Sequence, residues 1–212
     1  MSGPVFIDCP QNSDEWLRAR LGIPTASSFA TVLAKGKDGG ASKTRRDYML
    51  KLAGEILTDE PAQSFSNAHT ERGHEMEPEA RDLYAFATGL DLTEVGFIRN
   101  GQKGASPDRL IGDVGALEVK TKLPSLLIPI LLRDEFPAEH KAQCQGVLWV
   151  AEREWIDIAI YWPKLPLFVK RAHRDEAYIK TLSEAVDAFN DELSAVVDSV
   201  RRYGLAEAQE AA

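Results

Sequence analysis

From residue 175 to 203 the apolar side chains return every three or four positions: Tyr178, Leu182, Ala185, Val186, Phe189, Leu193, Val196, Val197 and Val200. That period draws one stripe along a long helix and leaves the rest of its circumference polar. Shorter stretches repeat it. Residues 14–20 set Trp16, Leu17 and Arg20 on neighbouring turns behind Ser13, a good helix cap, and Gly22 ends the run. Residues 26–34 gather Phe29, Val32 and Leu33, and 44–57 gather Tyr48, Leu52 and Ile56. Residues 67–88 gather Met76, Ala80, Leu83, Tyr84 and Ala87, with Gly73 inside the face for close backbone approach and Gly89 as the stop. Residues 137–151 turn Cys144, Val147, Leu148 and Ala151 inward, with His140 and Gln143 on the adjacent stripe. The apolar stretch 125–132 predicts a short helix broken at Pro129.

Elsewhere the period is two. Residues 155–162 place Ile156, Ile158, Ile160 and Trp162 on one strand face and pair with 167–171 across a proline-containing turn, and 92–99 form a strand before Asn100-Gly101. Residues 1–12 show neither period and read as irregular, and 35–42 read as a glycine-rich loop without the phosphate-loop pattern. Helices, strands, helix, strands and helix in that order predict a single α/β domain over 1–212, with its core over 14–203 and frayed ends.

Composition narrows the class. The 212 residues suit one well-buried domain, and 44% hydrophobic with 27% charged residues is ordinary for a soluble globular protein. No run approaches the roughly 18 apolar residues of a membrane span, and the N-terminus has no secretory pattern. Cys9 and Cys144 have no metal or redox spacing and read as reduced thiols of a cytoplasmic protein. A net charge of −8 excludes a general basic coat for nucleic acid. It leaves room for an enzyme with a local basic groove and clustered metal-binding acids.

The candidate chemistry centres on residues 106–120, two short strands around a glycine-bounded turn. Alternation puts Glu118 and Lys120 on one face and Leu117 and Val119 on the other. A hairpin centred on Asp113 sets Asp108 opposite Glu118, with β-carbons roughly 4.5–5.5 Å apart. Two carboxylates that close repel unless a cation lies between them, and an all-oxygen set suits Mg²⁺. On the helix over 67–88, Glu77 and Glu79 flank the apolar face, and periodicity does not choose between them. The hydroxyls of Thr25, Ser27 and Ser28 at the start of the helix over 26–34 fit either an anion site or plain capping.

The order helix-Glu, Ser106-Pro107-Asp108, Leu117-Glu118-Val119-Lys120, then an Ala-Gln-x-Gln helix ending in Leu148-Trp149-Val150, resembles the phage lambda exonuclease (YqaJ-type) branch of the PD-(D/E)xK nucleases. The stretch Trp16 to Ser27 is similar to that family's W-x-x-x-R-x-G-x-x-T-A-S signature. The resemblance implies a central mixed sheet flanked by helices. It implies that Asp108, Glu118 and the Val119 carbonyl hold the metal, and that Lys120 is the catalytic lysine. It selects Glu77, four residues after Gly73, as the third acid, and gives Gln143 a supporting role. His140 stands where the family has another aromatic. Arg20, Ser27 and Ser106 match residues that hold a DNA 5′-phosphate, which favours the anion site over capping. The implied protein is a cytoplasmic Mg²⁺-dependent (or Mn²⁺-dependent) 5′→3′ exonuclease on double-stranded DNA. It would form a homotrimer ring and serve a single-strand DNA annealing partner. The alternatives on the same residues are an endonuclease, a nuclease of other polarity, or a non-catalytic DNA clamp.

Overall fold

Side-chain caps at Ser13, Ser42 and Asp175 open three helices of the computed structural model, which describes residues 3–37, 39–62 and 68–203, with the backbone alone at 68–71, 73 and 74. Strand β1 (Val5–Ile7) lies in the stretch expected to be irregular; its three residues are too few to show a period. The Ser13 hydroxyl accepts from the Trp16 amide and starts α1 (Asp14–Ala19). The helix expected over 26–34 is a 3-10 turn at Ala26–Ser28 followed by α2 (Phe29–Leu33). Ser42 caps α3 (Lys43–Thr58), and α4 (Ala68–Thr88) follows. Next come β2 (Phe97–Arg99), β3 (Gly104–Ala105), β4 (Arg109–Ile111) and β5 (Gly115–Thr121). Then α5 (Pro124–Arg133), a 3-10 turn at Ala138–His140 and α6 (Lys141–Ala151) lead to β6 (Trp155–Tyr161) and β7 (Phe168–His173). Asp175 accepts from the Tyr178 amide and starts α7 (Glu176–Arg201).

The strands form two sheets. Antiparallel β1-β2-β3 is the smaller; β4-β5-β6-β7 is mixed, with only β5 and β6 parallel. A parallel pair needs a long crossover, which α5 and α6 supply. The β4–β5 hairpin has the register expected from the sequence: Arg109 opposite Leu117, Leu110 opposite Ala116, Ile111 opposite Gly115. Gly112 takes the left-handed turn conformation at φ 51°. The Asp108 amide continues the ladder onto the Leu117 carbonyl at 3.1 Å.

The pleat of β5 divides the core. Ala116 packs with α2, α3, α6 and α7 around Phe29, Leu148 and Phe189, while Leu117 and Val119 pack on Ala80 and Tyr84 of α4. Gly146 lets α6 approach Phe29: a β-carbon there would stand 2.4 Å from the ring. Buried Asp157 of β6 accepts Arg171 Nε and Nη2 at 2.8 and 2.9 Å and the Tyr84 hydroxyl at 2.6 Å, joining β6, β7 and α4.

Several expectations need correction. α5 runs through Pro129, because buried Leu127 and Ile130 anchor it to β6 and the proline leaves short only the carbonyl of exposed Ser125. The strand expected over 92–99 is regular only at its end; Thr93 makes one bridge, to Leu110. Of the apolar face expected on α4, Met76, Ala80 and Tyr84 reach the sheet, and Leu83 and Ala87 are exposed. Ile179 of α7 is buried and Val200 exposed, because the helix outruns the core it packs on. β6 is buried on both faces, not one, because Ile158 and Ile160 pack with Leu127 and Ile130 of α5 while Ala159 and Tyr161 pack with Ala80 and Tyr84 of α4. Close approach at Gly73 lies outside the described side chains.

Candidate active site

The end of β5 brings an acid and a base together under α6. Glu118 is 3% exposed, and its Oε1 accepts from Lys120 Nζ at 2.6 Å and from Gln143 Nε2. Its Oε2 is buried without a hydrogen-bond partner. Across the hairpin, Asp108 Oδ2 accepts from the Val119 amide. Burial, then the charges of Glu118 and Glu77, hold the Asp108 carboxyl well above the usual carboxylate range, against the opposing pull of Lys120. Burial pulls Lys120 down, but Glu118 and Asp108 outweigh it and keep the amine above its ordinary value. Three acids and one lysine therefore share one electrostatic environment.

A cleft of about 500 Å³ opens beside them, and Arg20, Ser27, Ser106, Glu77, Asp108 and Gln143 all line it. Glu118, Val119 and Lys120 do not; Glu118 connects to the wall through Gln143. Glu79 also stays outside the cleft and bonds to Tyr161, whose hydroxyl it raises to about 12. The Arg20 guanidinium carbon stands over the Trp16 ring, 3.9 Å from its centroid, and the side chain donates to Thr25 Oγ1 at 3.3 Å. Among the described residues no carboxylate forms an ion pair with it, and burial lowers its pKa. Thr25 Oγ1 also bonds to Ser27 Oγ at 3.2 Å, and Ser106 Oγ accepts the Trp16 indole N–H at 2.8 Å. Neither Thr25 nor Ser28 caps a helix through its side chain, so plain capping is not what these hydroxyls do. They surround an arginine whose charge is unspent.

Among the lining residues that sequence reasoning missed are Gln11, Arg81, Glu94 and Arg109. Gln11 Nε2 donates to the carbonyls of Val95 and Pro107, both at 3.0 Å, and pins the loop before Asp108. Arg81, Glu94 and Arg109 form a charged group on the wall. Spacing along the chain carries no signal for contacts this distant, although Arg109, next to the candidate acid, was open to suspicion.

His140 ends the 3-10 turn before α6, and its Nε2 is buried without a hydrogen-bond partner. Burial, then the charges of Lys120 and Lys122, depress it from 6.5 to about 4. A histidine depressed in the folded state contributes stability above its unfolded value and loses it as pH falls. Urea midpoints are therefore expected to decline between pH 6.5 and about 4 more steeply for the wild type than for His140→Gln. After allowance for solvent screening the difference is about 2 kcal/mol.

The donors suit a hard divalent cation: carboxylates, a backbone carbonyl at Val119, and an orphaned buried oxygen on Glu118. Among the described residues no three His, Cys, Asp or Glu side chains stand close enough together to hold a metal ion, and Glu118 Oε1 is taken by Lys120 and Gln143. The fit thus lies in donor chemistry and in the repulsion among Asp108, Glu118 and Glu77.

Comparison with known proteins agrees with this fold. LHK-Exo, an alkaline exonuclease from Laribacter hongkongensis, has been solved in complex with dAMP; that structure is 35% identical, with a TM-score of 0.83, covering 94% of this chain and 100% of that one. A second structure of the same exonuclease is 34% identical with a TM-score of 0.81 over the same shares. A phage-related exonuclease from Haemophilus somnus 129PT shares the fold at 16% identity and a TM-score of 0.64, covering 84% of this chain and 96% of that one. Comparison with curated proteins gives no match. No described helix is long and apolar enough to cross a membrane. The family match runs over residues 15–154, from α1 through the hairpin to the end of α6, and the chain belongs to the YqaJ-like viral recombinase domain family.

Proposed function

We propose that this chain is a divalent-metal-dependent 5′→3′ exonuclease that digests one strand of linear double-stranded DNA and leaves 3′ overhangs for strand-annealing recombination. The observation that carries the reading is that one cleft is lined both by the uncompensated cation Arg20, with Ser27 and Ser106, and by Asp108 and Glu77. A DNA end has a terminal phosphate and a scissile phosphodiester on one strand, and the cleft offers a place for each. The likeness to an exonuclease solved with a deoxynucleoside monophosphate supports the same substrate class. The reading extends to a homotrimer ring around duplex DNA and a single-strand DNA annealing partner in the host cytoplasm.

Arg20 grips the terminal 5′-phosphate with its planar fork, and stacking on Trp16 restricts its movement. Ser106, whose Oγ accepts from Trp16, turns its own hydroxyl proton to the phosphate, and Ser27 adds a second short contact. Asp108, Glu118, Glu77 and the Val119 carbonyl would hold Mg²⁺, or Mn²⁺ in its place, which when bound would supply charge neutralisation and a more acidic water. Lys120, held by Glu118, would stabilise the negative charge that gathers on the oxygens of the attacked phosphate. Gln143 keeps the Glu118 carboxylate in orientation. Water adds to phosphorus, the 3′ oxygen leaves with a proton, and the products are a 5′-mononucleotide and a strand with a new 5′-phosphate.

The test compares linear duplexes ending in 5′-phosphate or 5′-hydroxyl. Wild type should prefer the phosphate, and Arg20→Ala should lose roughly 10- to 100-fold on that substrate alone. Equal rates on both ends in the wild type would defeat the exonuclease reading. Cleavage of circular duplex would indicate an endonuclease, and no degradation with Mg²⁺ or Mn²⁺ a non-catalytic clamp.

A further inference from the structure

Arg81, Arg109 and Glu94 share the cleft wall with the candidate site and have no task in the reaction above. The two arginine side chains are 19% and 14% exposed, whereas Glu94 is 83% exposed. Arg109 Nη2 donates to Glu94 Oε1 at 2.7 Å, and its Nη1 donates to the Asp108 carbonyl. Arg81 Nη1 approaches the same Glu94 oxygen at 3.9 Å, and its Nε lies 3.8 Å from Glu77 Oε1. Both distances are too long for hydrogen bonds, and Arg81 Nε is buried with no hydrogen-bond partner. Two largely desolvated guanidinium groups thus converge on one oxygen of a carboxylate that stands in solvent.

The backbone behind that carboxylate is fixed. Thr93 and Leu110 exchange both amide–carbonyl bonds at 2.9 Å, and Gln11 holds the Val95 carbonyl. Glu94 can therefore swing away by side-chain rotation alone. An exposed carboxylate contributes little to such a pair, because water solvates it nearly as well. A phosphodiester has the charge and paired oxygens that arginine forks match best, and a partly buried guanidinium has already lost most of its water.

We propose that Arg81 and Arg109 form a second phosphate clamp, separate from the Arg20 pocket, which takes a phosphodiester of the strand passing Asp108. Glu94 is the internal stand-in that this phosphate displaces. The bond from Arg109 to the Asp108 carbonyl fixes the clamp beside the candidate metal acid. The proposal rests on the nuclease reading for the identity of its ligand, and its test separates the two.

Binding is measured by fluorescence anisotropy over a range of salt, with a 5′-hydroxyl duplex in EDTA. The Arg20 pocket and cleavage then do not enter the readout. Glu94→Gln should tighten binding roughly two- to fivefold at low salt, since the phosphate no longer competes with a carboxylate. Arg109→Gln and Arg81→Gln should each weaken it and lower the slope of log K against log salt by about one. The gain from Glu94→Gln should vanish when both arginines are glutamine. Weaker binding by Glu94→Gln, or an unchanged salt slope in both arginine variants, overturns the clamp. Circular dichroism checks folding; where Arg109→Gln fails, Arg109→Lys should keep the salt slope but lose affinity, and full affinity would count against the clamp. If the wild type neither binds nor degrades duplex, the nuclease reading fails by itself. Inorganic sulfate then tests the clamp: it should raise the unfolding midpoint of Arg20→Ala protein and lose that effect when Arg81 and Arg109 become glutamine, and an effect that persists overturns it.

Discussion

Lys120→Ala is expected to lower the rate of linear-duplex degradation by about 10²- to 10³-fold or more, the scale of losing one charge-stabilising donor in a desolvated site. Stability tells a different story in the same variants. Lys120 and Gln143 both donate to Glu118 Oε1, so removing the lysine leaves a buried carboxylate short of its cation at a cost of about 1–3 kcal/mol. In the double variant Lys120→Ala with Glu118→Gln the uncompensated charge is gone, and most of that stability should return. Activity should not return. Degradation rates on linear and circular duplex with Mg²⁺, beside urea midpoints, make the measurement. Recovery of activity along with stability would mean that neither Lys120 nor Glu118 takes part in the chemistry.

Arg171→Met is expected to cost about 3 kcal/mol and to be among the most destabilising polar substitutions in the chain. It strands Asp157, buried within β6, with the Tyr84 hydroxyl as its remaining hydrogen-bond partner among those described. The Arg171 guanidinium also lies 3.6 Å from the Trp155 ring centroid, so its packing is lost as well. Tyr84 and Asp157 are both buried, and burial, then the bond to Asp157, holds the Tyr84 phenol above its ordinary value. Adding Asp157→Leu and Tyr84→Phe removes the remaining buried polar groups, and the triple variant should regain much of the loss. Urea unfolding at pH 7 checks both steps. Folded Arg171→Met should degrade DNA near the wild-type rate, the reverse of the Lys120 result.

Elements with many repeats of one period were legible in the sequence. α7 has room for seven turns of its stripe, and the β4–β5 register followed from a turn bounded by Gly112 and Gly115. The choice of Glu77 over Glu79 was not a matter of period, since both flank the same face; the family pattern chose, and Glu77 is the one in the cleft. β1 and the single bridge at Thr93 escaped because three residues, or one, show no alternation. The pairing of Arg109 with Glu94 and the bonds of Gln11 escaped for another reason. They join residues 15, 84 and 96 positions apart, and only the folded chain brings such partners together. His140 was visible as a departure, but its loss of a proton-binding tendency depends on burial beside Lys120 and Lys122.

Gln11 gives the start of the chain a clasp on its middle. One amide group holds Val95 and Pro107 together, one residue before Asp108, and it lies outside the segment 15–154 by which kinship is recognised. At the other end, Leu182, Val186 and Phe189 of α7 close the core behind α6, also beyond that segment. The smallest piece of this chain that keeps its cleft in shape is therefore wider than the piece that identifies it, reaching back to Gln11 and forward through α7.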